Sequence, residues 1–150
     1  GHPEWIDFPR EGNGWSGRYA RRQWSLAENG YLKYSQLGQF DRDMLALVRK
    51  YRVLSDPAAR SLWIDQARKL IVFTRGGLLF AFNFGSERAL LSLPISGLES
   101  GDYDILLSTD SGEYGGFERI DAPFSIDESG LLRGALSERT AVALKRKEKA

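Results

Sequence analysis

Cysteine is missing altogether from this chain of 150 residues. Its absence removes disulfides, thiolate metal sites and cysteine nucleophiles, and it suits a reducing, cytoplasmic location. Histidine occurs once, as His2, so a metal site built on several imidazoles is excluded and a serine triad would depend on the far end of the chain. Charge of neither sign is in excess: 21 Lys and Arg stand against 20 Asp and Glu, a net +1, too weak a field to argue for nucleic acid or a membrane surface. No apolar run approaches the roughly 20 residues that span a bilayer, and none near the start has the form of a signal peptide. Nothing calls for a cofactor or a metal. Gly115-Gly116-Phe117 lacks the lysine and the strand-to-helix context of a phosphate loop and reads as a turn or bulge. What is present, 42% hydrophobic and 27% charged residues, is an ordinary globular composition with room for one domain and an appendage.

The chain changes grammar twice. Residues 1–29 hold three tryptophans, Trp5, Trp15 and Trp24, among glycines and arginines with no sustained period, which predicts loop. From Tyr31 the residues Tyr34, Leu37, Phe40, Met44, Leu47, Val48 and Tyr51 recur at spacings of three and four and draw one apolar stripe along a helix, continuous or slightly kinked at Gly38. Ser55-Asp56-Pro57 then punctuates the sequence, and strand grammar follows. Short runs at Leu62–Asp65, Leu70–Arg75, Leu78–Phe84, Leu90–Ile95, Tyr103–Ser108, Leu131–Leu136 and Thr140–Lys145 are separated by glycine-bearing or polar turns, with Gly76-Gly77 as a two-residue hairpin signal. About seven such strands predict an antiparallel sandwich or barrel. Within the third run Leu78, Phe80, Phe82 and Phe84 alternate with Leu79, Ala81 and Asn83, and the aromatic row is expected to face the core. The resulting division is 1–54 for loop and helix, 55–145 for a β-domain and 146–150 for a disordered tail.

The opening block, Gly1-His2-Pro3-Glu4-Trp5-Ile6-Asp7-Phe8-Pro9-Arg10, is dense in chemistry, irregular, and preceded by no scaffold that would position it. It resembles the loop after the last barrel strand in the glucan branching enzymes of the α-amylase superfamily. Tyr19-Ala20-Arg21-Arg22-Gln23, Leu32-Lys33-Tyr34, Phe40-Asp41-Arg42-Asp43-Met44, Gly77-Leu78-Leu79-Phe80-Ala81-Phe82-Asn83-Phe84, Glu113-Tyr114-Gly115-Gly116-Phe117-Glu118-Arg119-Ile120-Asp121 and Glu138-Arg139-Thr140-Ala141-Val142 are similar to further blocks of that family, in order, as far as about Leu144. Gly85, where the family usually has histidine, and Glu138, where proline is common, mark a divergent member. The resemblance implies an antiparallel β-sandwich of the α-amylase C-terminal type, preceded by a loop and helix from the end of a β/α barrel. It also implies a retaining transfer that cuts α-1,4 linkages and makes α-1,6 branches, using an aspartate nucleophile and a glutamate acid/base. Such chemistry requires two carboxylates about 5 to 5.5 Å apart. In the family those residues lie on earlier barrel strands, so none of the catalytic residues is expected in this chain, which reads as a C-terminal piece that stabilises the barrel and helps position glucan.

In an intact enzyme of this kind His2, Glu4, Trp5, Asp7 and Arg21 would lie near substrate, as the loops at this end of a barrel build the cleft. Against that stands a purely structural role: Glu4 and Asp7 bonding backbone amides and Arg10, Trp5 anchoring the loop, His2 orienting it. Two other classes of function are open. A stand-alone α-glucan-binding module would use Trp63, Tyr114 and Phe117 as an exposed platform, although aromatics at strand spacing mostly pack in cores. A structural or interaction module would expose an apolar patch where the barrel sits, expected around Leu37, Met44, Leu47 and Val48, and two copies would pair through it. The partners implied are therefore α-glucan, a catalytic barrel in cis and a second copy of the chain.

Overall fold

The computed structural model describes residues 6–20, 24–120 and 123–148. One long helix, α1 (Tyr34–Lys50), precedes eight strands: β1 (Arg60–Asp65), β2 (Leu70–Arg75), β3 (Leu78–Asn83), β4 (Ala89–Pro94), β5 (Gly101–Ser108), β6 (Phe124–Ile126), β7 (Leu131–Leu136) and β8 (Thr140–Arg146). Arg49 and Lys50 occupy the last turn of α1, where the carbonyl end of a helix favours cations. The helix runs unbroken through Gly38, and a methyl group there would meet only Arg42 Nη1 at 3.5 Å.

All strand pairs are antiparallel and form one hydrogen-bonded sheet in the order β1-β2-β3-β8-β5-β6-β7-β4. The register slips between Ile105 and Leu107 where β5 meets β8, and a bulge of this kind bends a sheet. The sheet folds over its main core: Leu70, Val72, Leu79 and Ala81 from one half pack with Leu91, Leu93, Phe124, Leu132 and Leu136 from the other. Its two edges approach at one end, where Arg60 of β1 donates from Nη2 to the Gly97 carbonyl just beyond β4 at 2.9 Å. This is the expected sandwich-like antiparallel architecture. The strand absent from the sequence reading is β6, whose three residues are too few to show a period. It is held by Phe124, and Gly134 on β7 makes the room: a Cβ there would lie 2.4 Å from Phe124 Cδ1.

Gly76 and Gly77 take φ values of 58° and 72°, the left-handed pair that a two-residue hairpin requires. The turn sets Arg75 opposite Leu78, Phe73 opposite Phe80 and Ile71 opposite Phe82. A Cβ on Gly76 would lie 2.7 Å from Val53 Cα, so the hairpin presses against the chain leaving α1.

The aromatic row of β3 corrects the expectation made for it. The alternation is there with its phase reversed: Leu79, Ala81 and Asn83 are buried within the fold, while Phe80 and Phe82 are half-buried on the outer face and Phe84 is 59% exposed. Both sets of side chains are largely apolar, so periodicity alone could not choose between them. The polar member settles the matter physically. Asn83, 2% exposed, donates from Nδ2 to Glu87 O at 2.8 Å and Ser137 O at 3.0 Å and accepts from Gly85 N at 2.9 Å, a set of partners that exists only on the inner side. A smaller second core lies on the outer face, where Leu47 of α1 packs with Val53, Leu78 and Ala143, flanked by Val48, Tyr51, Phe80, Leu106 and Leu107.

Candidate functional site

His2, Glu4, Trp5 and Arg21 lie outside the described residues. Asp7 lies within them and serves to organise the loop. Its carboxylate accepts from Arg10 Nε at 3.0 Å and Asn13 Nδ2 at 3.1 Å, and its own N–H donates to Tyr19 O at 3.1 Å. The Arg10 hydrogen bond, then that of Asn13, holds the Asp7 carboxyl below the usual carboxylate range, so it is an anion committed to its neighbours. Asn13 completes the knot by donating to Phe8 O at 3.0 Å and accepting from Arg10 N at 3.0 Å. The loop around this knot leaves Phe8, Trp15, Trp24 and Tyr31 open, at 70, 70, 77 and 97% exposure.

The three aromatics considered for a sugar platform have different surroundings. Trp63 on β1 is half-buried and packs against the main core, with its Nε1 buried and without a hydrogen-bond partner. Tyr114 ends a 3-10 turn (Gly112–Tyr114) and is spent on α1: its hydroxyl donates to Asp43 Oδ2 at 2.9 Å and its ring meets Phe40 edge-on at 5.2 Å. Burial, then the hydrogen bond to Asp43, pushes the Tyr114 phenol well up, while the bonds from Gln39 and Tyr114 lower Asp43. Only Phe117 is exposed, at 76%, with the Arg119 guanidinium 5.0 Å over its ring. A groove of about 270 Å³ lies between α1 and the 3-10 turn, lined by Gln36, Leu37, Phe40, Thr109 and Tyr114 among others.

Two arrangements lay beyond the sequence reading. The first pins the loop that carries Tyr114. Asp110, 3% exposed, accepts from Arg119 N at 2.7 Å and Arg119 Nη2 at 2.8 Å, and Arg119 Nη1 also donates to Glu138 Oε1. The Arg119 hydrogen bond depresses the Asp110 carboxyl, outweighing the opposite effect of burial. The second is a ladder of phenylalanines on the outer face. Phe73 stacks on Phe80 at 5.0 Å and on Phe82 at 5.8 Å, and Phe82 stacks on Phe84 at 5.7 Å, with ring planes within 16° of parallel. A signal for it was present: a two-residue turn at 76–77 dictates that 73 faces 80. The expected patch on α1 is divided, since Leu47 is buried in the second core whereas Leu37 is 55% exposed. Among the described residues no group of three or more metal-ligating side chains could hold an ion, and no helix is long and apolar enough to cross a membrane.

Known proteins resemble both the strands and what precedes them. The family model for the alpha amylase C-terminal all-beta domain matches residues 63–147. The 1,4-alpha-glucan-branching enzyme of Rhizophagus irregularis is 42% identical over 125 residues, 83% of this chain and 18% of that protein. That of Felis catus is 43% identical over 121 residues, covering 81% and 17%. With the branching enzyme of Eremothecium gossypii the identity is 37% over 155 residues, 97% of this chain and 22% of the relative. The chain thus spans about a fifth of the length of the curated relatives it matches. Over residues 63–147, in both sequence and strand pattern, the chain belongs to the α-amylase C-terminal all-β domain family.

Proposed function

We propose that this chain is the C-terminal part of a cytoplasmic 1,4-alpha-glucan-branching enzyme, in which residues 1–54 close a catalytic barrel and residues 55–145 form the β-domain that stabilises it. The observation that carries this reading is the reach of the similarity. It covers 97% of the chain in one relative, so the aromatic loop and α1 are matched along with the strands. The site geometry supports a scaffold: Asp7 and Asp110 are committed to partners that close their own loops, and Tyr114 ties its loop to α1. In this reading the carboxylates that cut α-1,4 and form α-1,6 linkages belong to the barrel, and this chain acts on them by holding barrel elements in place.

The test is a transplant. The chain replaces the matching stretch of the Rhizophagus irregularis enzyme, and branch formation from amylose is measured by debranching. The chimera is expected to branch and the isolated chain to give only the buffer blank. Turnover by the isolated chain, or a folded chimera without activity, would overturn the proposal.

The groove beside Tyr114 favours a second, compatible role in positioning glucan. It joins two aromatic rings to hydrogen-bonding Gln36 and Thr109, the mixture that suits a sugar ring. Amide shifts in this groove on titration with maltopentaose are the expected result, and their absence removes this role alone.

A further inference from the structure

A cavity of about 520 Å³ lies at one end of the sheet, between the β1–β2 turn and the β3–β4 loop, lined by Arg68, Lys69, Gly85, Ser86, Glu87 and Arg88 among others. That volume is in the range of small-molecule sites, roughly 300 to 1,000 Å³. Backbone hydrogen bonds fix its walls. Phe84 N donates to Lys69 O at 3.0 Å and Arg139 N donates to Gly85 O at 3.2 Å, so the β3–β4 loop is clasped by the β1–β2 turn on one side and the β7–β8 turn on the other. Asn83 holds the same loop from within, accepting from Gly85 N and donating to Glu87 O. Gly85 permits the close approach, since a Cβ there would lie 2.9 Å from Arg68 O.

The two clasping turns share an unusual feature. Lys69 and Arg139 both stand at left-handed corners, with φ values of 58° and 54°. Glycine and asparagine adopt that conformation most readily, so nothing in either turn calls for a long cation. One such residue is an ordinary solvated charge, but two that bond through their backbones to a single loop concentrate positive charge around it. Asp65 neutralises Arg68, whose Nε lies 2.7 Å from Oδ2. Among the described residues the side chains of Lys69 and Arg139 form no hydrogen bond or ion pair. The loop also has donors unspent. The N–H groups of Ser86 and Glu87 meet no acceptor among the described residues, and Ser86 adds a hydroxyl.

Consecutive backbone N–H groups beside fixed cations are how loops hold oxyanions. Glu87 is the one carboxylate among the lining residues, and it disfavours a bare anion while suiting the hydroxyls of a sugar. We propose that this cavity binds a hexose monophosphate, with the phosphoryl group on Lys69 and the N–H groups of Ser86 and Glu87, and the sugar hydroxyls on the Glu87 carboxylate. Arg139 strengthens the field at the second corner. The proposal goes beyond the branching-enzyme reading and does not depend on it.

The test is a titration of the isolated chain with glucose 6-phosphate, inorganic phosphate and glucose, followed by amide shifts. It is run at about pH 7.5, where the monoester is close to a dianion, and at fixed ionic strength. Glucose 6-phosphate is expected to saturate the shifts of Lys69, Ser86 and Glu87 at least about 5-fold more tightly than inorganic phosphate, and glucose to leave them unmoved. Lys69→Asn keeps a residue suited to the left-handed corner, so its melting temperature should stay within about 3 °C of the parent while affinity for glucose 6-phosphate falls about 10-fold. Glu87→Ala should bring the two phosphates to within about 2-fold of each other. No saturation by glucose 6-phosphate, equal affinity of the parent chain for inorganic phosphate, or a folded Lys69→Asn variant that binds as the parent does would each overturn the proposal. Should Lys69→Asn fail to fold, Arg139→Asn decides by the same two readouts, with an expected loss of about 3-fold and an unchanged affinity overturning it.

Discussion

The two faces of the sheet are built from different materials. The inner face is mainly aliphatic, with Phe124 and Tyr103 set among the leucines: Leu70, Leu132, Leu136 and Leu144 are no more than 1% exposed, and Asn83 donates toward three backbone carbonyls. The outer face carries aromatic rings, one helix, and polar clips such as Tyr114 to Asp43 that fasten loop to helix. One face is closed within the chain and the other is only partly covered by α1. The lesson is that alternation in a strand reveals two surfaces without saying which is the core. Size and chemistry decide, since close-packed interiors accept Ala81 where a phenylalanine would not fit.

The largest effect should come from the inner face. Leu132→Ala removes a side chain with no exposure and is expected to cost about 3 to 4 kcal/mol in urea unfolding, well above any single change on the ladder. A smaller loss would mean that the core relaxes and that the contrast between faces is weaker than the packing indicates. Asn83→Ala comes next, at about 2 to 3 kcal/mol by the same measurement, because carbonyls at Glu87 and Ser137 lose their donor.

The clips of the outer face rank below these. Asp110→Asn breaks the ion pair with Arg119 and is expected to cost about 2 kcal/mol at pH 7. Its pH dependence has a definite sign. The carboxyl is depressed in the folded state, so its contribution is complete above the unfolded value of about 3.9 and is lost as the pH falls through the folded value. Acid unfolding curves of Asp110→Asn and the parent should therefore converge below about pH 4, and a gap that stays constant would refute the electrostatic origin. Smallest is Tyr114→Phe, which keeps the ring against Phe40 and loses the bond to Asp43. A cost of about 1 kcal/mol is expected, with faster amide exchange in the N-terminal half of α1 and none in β7.

Much of the fold was legible. Strand limits followed from period-two runs broken by glycine, and α1 from its spacing of three and four. The phase of β3 was not, because Leu79 and Ala81 compete with Phe80 and Phe82 on nearly equal terms. β6 was not, because three residues carry no period. Candidate-site chemistry was the least legible. Tyr114 and Asp43 lie 71 positions apart, and Asp110 finds Arg119 only once a loop has closed. Trp63 illustrates the opposite case, an aromatic on a strand whose packing role its setting already implied.

The stretch between α1 and β1 is anchored at two points, Val53 and Asp56. Asp56 Oδ2 accepts from Gly76 N at 3.0 Å, its carbonyl accepts from Arg75 Nε at 3.1 Å, and Val53 is trapped beneath the hairpin. A joint fastened on both sides is a weld rather than a hinge, and α1 travels with the sheet as one rigid piece. Protease cleavage between Pro57 and Ala59 would sever the peptide and still leave the helix in its seat. Any strain reaching α1 from outside would pass to the strands without slack.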